Sequence, residues 1–206
     1  MFGFNKNISV MRFLFLFVMS FPLISMADDI KDSIKKGLTY YEGGKYNKAV
    51  ESLGHASKLM QQKTRTVLQQ FLPKALSGWT SHESNSELIG AAMFGGGVTA
   101  ERGYNNEGKG IASKVTIRII ANSPIMESVM MMYSTPGYAE ASGKKLEIIK
   151  GNKAIIEFDA VDGFGNINIV VANRFLVQIE GDARNVNGLK QYAKLINYKK
   201  LAALTL

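Results

Sequence analysis

The sequence predicts an α+β protein in which an N-terminal helical hairpin is followed by an antiparallel β-sheet with helices packed on one face. Apolar residues recur every three or four positions before residue 73, which is the period of amphipathic helices. From about residue 114 they recur at every second position, which is the period of half-buried strands. Turn-forming dipeptides separate neighbouring strand-like runs, so we expect consecutive hairpins and an antiparallel sheet.

The first residues have the layout of a secretory signal peptide. Lys6 and Arg12 supply positive charge, residues 13–24 are almost wholly apolar, and Ser25 and Ala27 provide the small residues of a cleavage site. The apolar run is about a dozen residues, whereas a membrane-spanning helix needs about 20. We therefore expect residues 1–27 to be a signal peptide cleaved after Ala27, and the protein to be periplasmic or secreted. A retained N-terminal anchor is the alternative.

Composition restricts the chemistry of the chain and of its partners. The chain has no cysteine, which excludes disulfides and the acylated cysteine of a lipoprotein. Its formal net charge is +8, and loss of the leader with Lys6 and Arg12 would lower it to +6. A basic protein outside the cytosol favours anionic envelope lipid or an acidic protein over nucleic acid. The cations are dispersed along the chain, as on a solvated face.

Residues 28–73 predict two helices. Gly43 and Gly44 interrupt the helical pattern, and Pro73 ends the second helix. One face of that second helix is apolar: Tyr46, Ala49, Leu53, Ala56, Met60, Val67 and Phe71. Two helices cannot bury such a face by themselves, so it must pack on the rest of the chain, on a second copy or on a partner.

Seven residues of this hairpin have the spacing of one tetratricopeptide repeat: Gly37, Tyr40, Gly44, Tyr46, Ala49, Leu53 and Ala56. Over about 30 residues the hairpin therefore resembles a single repeat of that family. No second copy follows, and Gln61 stands where the repeat usually has proline. The family's peptide-binding groove is built from neighbouring repeats, so the resemblance implies a helical hairpin and not that groove.

Residues 74–97 predict a linker, and residues 98–206 predict the sheet domain. The linker is rich in serine and ends in three glycines, which lack the Gly-Lys-Ser/Thr ending of a phosphate-binding loop. Alternating apolar residues predict strands over 114–119, 154–159, 166–171 and 175–180, with turns at 151–152, 162–163 and 173–174. Helices are expected from Pro124, with Ser123 as N-cap, to residue 133, and over 185–196.

The resulting element order is β-β-α-β-β-β-β-α, an α+β two-layer arrangement. In order and length it resembles the Mog1/PsbP-like group of small α+β folds. The run from Ser123 to Val177 is also similar to exported proteins of Gram-negative bacteria that have no assigned activity. Neither resemblance implies a functional residue.

The predicted helix after Pro124 is unusually rich in methionine. Met126 and Met130 share a helix face, and thioether sulfur is a ligand suited to Cu(I), with His55 and His82 as conceivable nitrogen ligands. Methionine is also a common filler of irregular core gaps and a component of flexible apolar binding surfaces. Met126 and Met130 are therefore weak metal candidates and candidate partner-binding residues.

Enzyme chemistry receives little support. The two histidines lack metal-ligand spacing, and Glu157 and Asp159 share a strand face that is typical of a solvated surface.

We expect a non-enzymatic binding or assembly-accessory protein without a cofactor, acting through an apolar helical docking face. Tyr40, Tyr46 and Leu53 are the candidate partner-binding residues on the hairpin. The expected partner is another envelope protein or a second copy; an anionic envelope lipid, an apolar ligand beside the Met-rich helix and Met-based Cu(I) binding are alternatives.

Overall fold

The computed structural model describes residues 26–83, 97–106, 113–182 and 186–206. The predicted apolar leader segment, residues 13–24, and most of the predicted glycine run lie outside these residues. The helices are α1 (Met26–Glu42), α2 (Tyr46–Gln69), α3 (Ile125–Ser134), α4 (Pro136–Ala141), α5 (Val186–Leu195) and α6 (Tyr198–Ala202). The strands are β1 (Thr80–Glu83), β2 (Val98–Asn106), β3 (Ser113–Ala121), β4 (Lys145–Ile149), β5 (Asn152–Asp159), β6 (Phe164–Val171) and β7 (Phe175–Asp182). None of the described helices combines the length and the apolarity needed to cross a membrane.

The fold class is confirmed: a helical hairpin precedes a seven-stranded antiparallel sheet. The strand order is β1-β2-β3-β7-β6-β5-β4, so two meanders, β1 to β3 and β4 to β7, join where β3 pairs with β7. At this junction Ile117 lies opposite Ile179, which lies opposite Ile167 on the other side. Edge strand β1 comes from the segment that the sequence predicts to be a linker.

The turns that join β4 to β5 and β6 to β7 lie at, or within one residue of, the positions that the sequence predicts. Lys150 and Gly151 join β4 to β5 and both have positive φ, 48° and 80°. A two-residue hairpin loop with two positive φ angles has the twist that matches the strands it connects. The turn before Phe175 likewise has positive φ at Ala172 and Asn173. The N-cap of α3 is Pro124, one residue after the predicted Ser123, and the Ser123 Oγ accepts a hydrogen bond from the Ile125 N–H at 3.3 Å.

Helices cover both faces of the sheet, which corrects the expectation of a single helical layer. One face packs on α5, α6 and the end of α2, and its buried strand residues include Ile119, Ile169 and Val177. The opposite face packs on the Met-rich helix α3, and its buried strand residues are Ile120, Ile155, Val170 and Leu176. Runs such as Phe175-Leu176-Val177 are apolar on both sides, and a strand of that composition needs cover on both sides.

The last turns of α2 attach the hairpin to the sheet. Leu68 and Leu72 are buried in the same core as the sheet residues of the first face. The Arg65 Nε donates a hydrogen bond to the Thr99 carbonyl oxygen at 3.2 Å. The Tyr104 hydroxyl donates to the Pro73 carbonyl oxygen at 2.6 Å. The base of the hairpin is therefore held in place.

Candidate docking site

The two helices of the hairpin approach closely where small residues face each other. A Cβ atom added at Gly37 would lie 2.7 Å from the Cδ2 and Cγ atoms of Leu53. Ala49 and Ala56 are buried at the same interface. Gly44, with φ of 69°, allows the tight turn before Tyr46. Because small residues line most of this contact, the larger apolar side chains other than Leu53 lie outside it, and the Leu53 side chain packs against Gly37.

Large apolar side chains are exposed along one side of the hairpin. Seven of them are each more than 40% exposed: Ile34, Leu38, Tyr41, Tyr46, Val50, Leu53 and Met60. The three residues on α1 and the four on α2 follow helical spacing, so each set forms one stripe. The two stripes meet at the turn, where the ring centroids of Tyr41 and Tyr46 are 5.9 Å apart. We call these seven residues the apolar hairpin face.

The border of this face carries more positive than negative charge. Lys31 and Lys35 precede Leu38 by seven and three positions, which places them beside the α1 stripe, and both are exposed. Lys58 lies beside the α2 stripe in the same way. Glu42 and Asp28, which precedes Lys35 by seven positions, are the acidic residues on this border of α1. An apolar centre with a mainly basic border is complementary to an acidic amphipathic segment.

Tyr40 is placed on the other side of the hairpin, away from Tyr46 and Leu53. There a groove of about 420 Å³ is lined by Ser33, Lys36, Tyr40, Lys48, Glu51, Ser52 and His55. The Lys48 ammonium lies 5.8 Å from the centroid of the Tyr40 ring. Of the three hairpin residues predicted to bind a partner, the structure therefore brings together Tyr46 and Leu53.

The two predicted methionines lie within the packing between α3 and the sheet. Met126 is 8% exposed, and Met130 packs partly buried against the same cluster. Met131 is 72% exposed and lines a shallow, mainly apolar groove of about 320 Å³ with Ser128, Met132 and Thr135. His55 lies in the hairpin groove and His82 on β1, so neither belongs to the lining of this methionine groove.

A polar cleft in the sheet has no counterpart among the predicted sites. Arg118 on β3 donates hydrogen bonds to Glu101 on β2 and Glu180 on β7, and His82 and Gly103 line the same cleft of about 330 Å³. Burial alone would lower the pKa of Arg118, but its bonds to the two carboxylates raise that pKa above its ordinary value. Strand pairing brings these three charges together from separate parts of the chain. No sequence motif therefore reveals this group of charges.

Arg118 and its two carboxylates satisfy one another, so this group of three charges is interpreted as part of the sheet's structure. In the described residues, no cluster of three or more His, Cys, Asp or Glu side chains could hold a metal ion. The other carboxylate pair has separate partners: Glu157 binds Lys144 at 3.2 Å, and the Asp159 Oδ1 accepts from the Val161 N–H at 2.7 Å.

No protein-family model, curated protein or solved structure matches this chain. The class of protein is therefore inferred from the geometry of the described residues. The apolar hairpin face is their largest grouping of exposed apolar side chains, since the other exposed ones are distributed over several elements. It is the candidate functional site.

Proposed function

We propose that the protein is a non-enzymatic binding or assembly-accessory protein of the bacterial envelope that docks a partner on the apolar hairpin face. The observation that carries this proposal is the exposure of seven large apolar side chains on one side of a hairpin whose base is packed into the core. Soluble proteins rarely leave a contiguous patch of this kind uncovered unless it binds something.

The occupant that fits this face is an acidic amphipathic helix of another protein. A helix can lay its apolar side along the groove between two antiparallel helices, with anchors at helical spacing. Lys31, Lys35 and Lys58 would then lie opposite its acidic side chains and steer its approach. A second copy of this hairpin would bring the same excess of cations together, so self-association is less favourable than binding an acidic segment.

Burial of the apolar side chains would supply the binding free energy. Complete burial of one large apolar side chain contributes about 1.5–3 kcal/mol. Association costs at least several kcal/mol in lost translational and rotational freedom. Because each residue of this face is already partly buried, a specific complex has to cover most of the seven, and Val50, at 72% exposure, has the most to gain.

Location outside the cytosol is part of the proposal and rests on the N-terminal sequence. The charged start, the apolar run over 13–24 and the small residues before Asp28 support export and cleavage after Ala27. Because α1 begins at Met26, cleavage there would remove two residues from its first turn. Asp28 and Asp29 would then stand at the start of the helix, where negative charge is favourable.

The alternatives have less support from the geometry. An apolar ligand would have to use the methionine groove, whose volume of about 320 Å³ is at the lower end of the range for ligand sites and which is open to solvent. A Cu(I) site would have to use Met126 and Met130, which already fill the space between α3 and the sheet. Both remain weaker proposals than protein docking.

Site-specific photocrosslinking in producing cells tests the docking proposal. A photoreactive residue replaces Leu38 on the apolar hairpin face, and the crosslinked protein is identified by mass spectrometry. We expect a discrete crosslink to an acidic, amphipathic helical segment of another envelope protein. Val50→Asp should reduce its yield at least tenfold, because the new carboxylate is buried without a partner and repels acidic groups.

The matched control is His55→Asp, which places the same carboxylate on the opposite side of α2. It should leave the crosslink unchanged, and both variants should retain the wild-type circular dichroism spectrum. An equal crosslink in the Val50→Asp variant would contradict the proposal. So would a crosslink only to a second copy of the chain or to its own residues 1–25.

A further inference from the structure

The tertiary structure gathers five cations at one end of the sheet. Lys150 lies in the β4–β5 loop and Arg174 in the β6–β7 loop, and alternate connections of an antiparallel meander lie at the same end. Lys194 lies in the last turn of α5, and Lys199 and Lys200 lie in α6, which follows directly. We call these five residues the basic end.

Hydrogen bonds connect the two loops to the two helices. The Lys150 ammonium donates to the carbonyl oxygens of Lys194 and Ile196, at 3.0 and 3.2 Å. The Arg174 guanidinium donates to the Ala202 carbonyl oxygen at 2.7 Å. Both cations therefore sit at the ends of helices, where terminal carbonyl groups favour positive charge. Because α6 is about 8 Å long, the five cations share a small area.

The three segments that build the basic end, residues 149–153, 171–175 and 194–206, contain no Asp or Glu. Lys190, one turn before Lys194, belongs to a different environment, because its ammonium is paired with Glu147 at 2.7 Å. Lys194, Lys199 and Lys200 are all exposed. The patch consequently presents a concentrated positive potential to solvent.

We propose that the basic end binds the surface of a membrane containing anionic lipids. Its exposed lysines, Lys194, Lys199 and Lys200, act as mobile point charges toward a surface and do not favour the bidentate geometry of a specific acidic site. Leu195, in the same turn as Lys194, is 48% exposed and can enter the interfacial layer. This surface and the apolar hairpin face are distinct, so the proposal does not depend on the docking function.

The aromatic residues of these segments argue against other polyanions. Phe175 and Tyr198 are both buried in the core. Single-stranded nucleic acid would need exposed rings on which to stack its bases. A protein partner would need exposed aromatic or apolar anchors in larger number. A charged membrane surface needs neither.

Vesicle cosedimentation tests this proposal with the protein as isolated from producing cells. Vesicles of phosphatidylcholine with phosphatidylglycerol are compared with vesicles of phosphatidylcholine alone, at low and at raised salt. We expect binding to the anionic vesicles, loss of that binding at raised salt, and little binding to neutral vesicles. Since each cation near an anionic surface contributes about fivefold to partitioning, Lys194→Gln/Lys199→Gln/Lys200→Gln should weaken binding about a hundredfold.

The control is Lys31→Gln/Lys35→Gln/Lys58→Gln, which removes the same charge from the hairpin. It should bind anionic vesicles nearly as well as the wild type. Equal losses in the two triple variants, or equal binding of the wild type to neutral vesicles, would overturn the proposal. Stronger binding to polyglutamate or duplex DNA than to anionic vesicles at matched charge would overturn it as well.

Discussion

Tyr104 shows how one residue on β2 links the hairpin to the sheet. Its side chain is fully buried, its ring centroid lies 4.6 Å from that of Tyr192, and its hydroxyl donates to the Pro73 carbonyl oxygen. Burial raises the pKa of Tyr104 to about 12, because the interior does not solvate a phenolate. The sequence assigns this tyrosine no role, since its partner Pro73 lies 31 positions away.

The raised pKa predicts a loss of stability in alkali. An unfolded tyrosine releases its proton near pH 10, whereas folded Tyr104 keeps its proton up to about pH 12. Its contribution to the free energy of unfolding, about 3 kcal/mol at most, is therefore fully present below pH 10 and is lost as the pH rises toward 12. Burial also raises the pKa of Tyr133, Tyr192 and Tyr198, so the whole molecule should weaken in alkali.

Urea unfolding between pH 8 and pH 12 measures this effect. Tyr104→Phe should lower the free energy of unfolding by about 1 kcal/mol at pH 8, because the hydrogen bond is lost. Between pH 8 and pH 12, the free energy of unfolding of the variant should fall less steeply than that of the wild type. An identical alkaline slope in both proteins would show that Tyr104 ionises normally in the folded state.

At the scale of elements, the packing of α1 on α2 includes a close contact between Gly37 and the Leu53 side chain. Gly37→Ala would place a methyl group against Leu53, which we expect to lower the free energy of unfolding by about 1–2 kcal/mol despite the better helix propensity of alanine. Gly54→Ala makes the same substitution on α2, where nothing lies within 4 Å, and should raise stability by up to about 1 kcal/mol.

A double-mutant cycle distinguishes packing from propensity. In a Leu53→Ala background the space beside Gly37 is open, so Gly37→Ala should become neutral or stabilising. If Gly37→Ala stabilises the wild type as Gly54→Ala does, the inference that α1 and α2 approach closely at Gly37 is contradicted.

For the Met-rich helix α3, the sequence predicts where the helix starts but not which face of the sheet it covers. Its position after Ser123 and Pro124 was predicted to within one residue, because local capping and the fixed φ of proline determine where a helix starts. The face of the sheet that it covers was not predicted. That choice depends on Ile120, Val170 and Leu176 being brought together from three strands.

At the scale of the molecule, the hairpin and the sheet share one core. Leu68 is fully buried between α2 and the sheet, and Trp79 packs edge-on against Tyr192 with ring centroids 5.3 Å apart. We therefore expect one cooperative unfolding transition, in which helix content and Trp79 fluorescence change at the same urea concentration.

Leu68→Ala should lower the free energy of unfolding by about 2–5 kcal/mol without separating the two signals. Met60→Ala on the exposed face, by contrast, should change it by less than about 1 kcal/mol. Two separate transitions in the wild type would show that the hairpin folds independently of the sheet.

The sequence by itself determined the helical hairpin, the run of strands and most of the turns, since periodicity and turn residues act over a few positions. It also located Tyr46 and Leu53 on a candidate docking face, because helical spacing alone places them together. Only the tertiary structure decided which face each helix covers, the position of Tyr40 away from that docking face, and the gathering of Arg118 with its carboxylates. Those features join residues that are far apart in the chain. Strand pairing and core packing bring these residues together, and neither leaves a recognisable pattern in a short stretch of sequence.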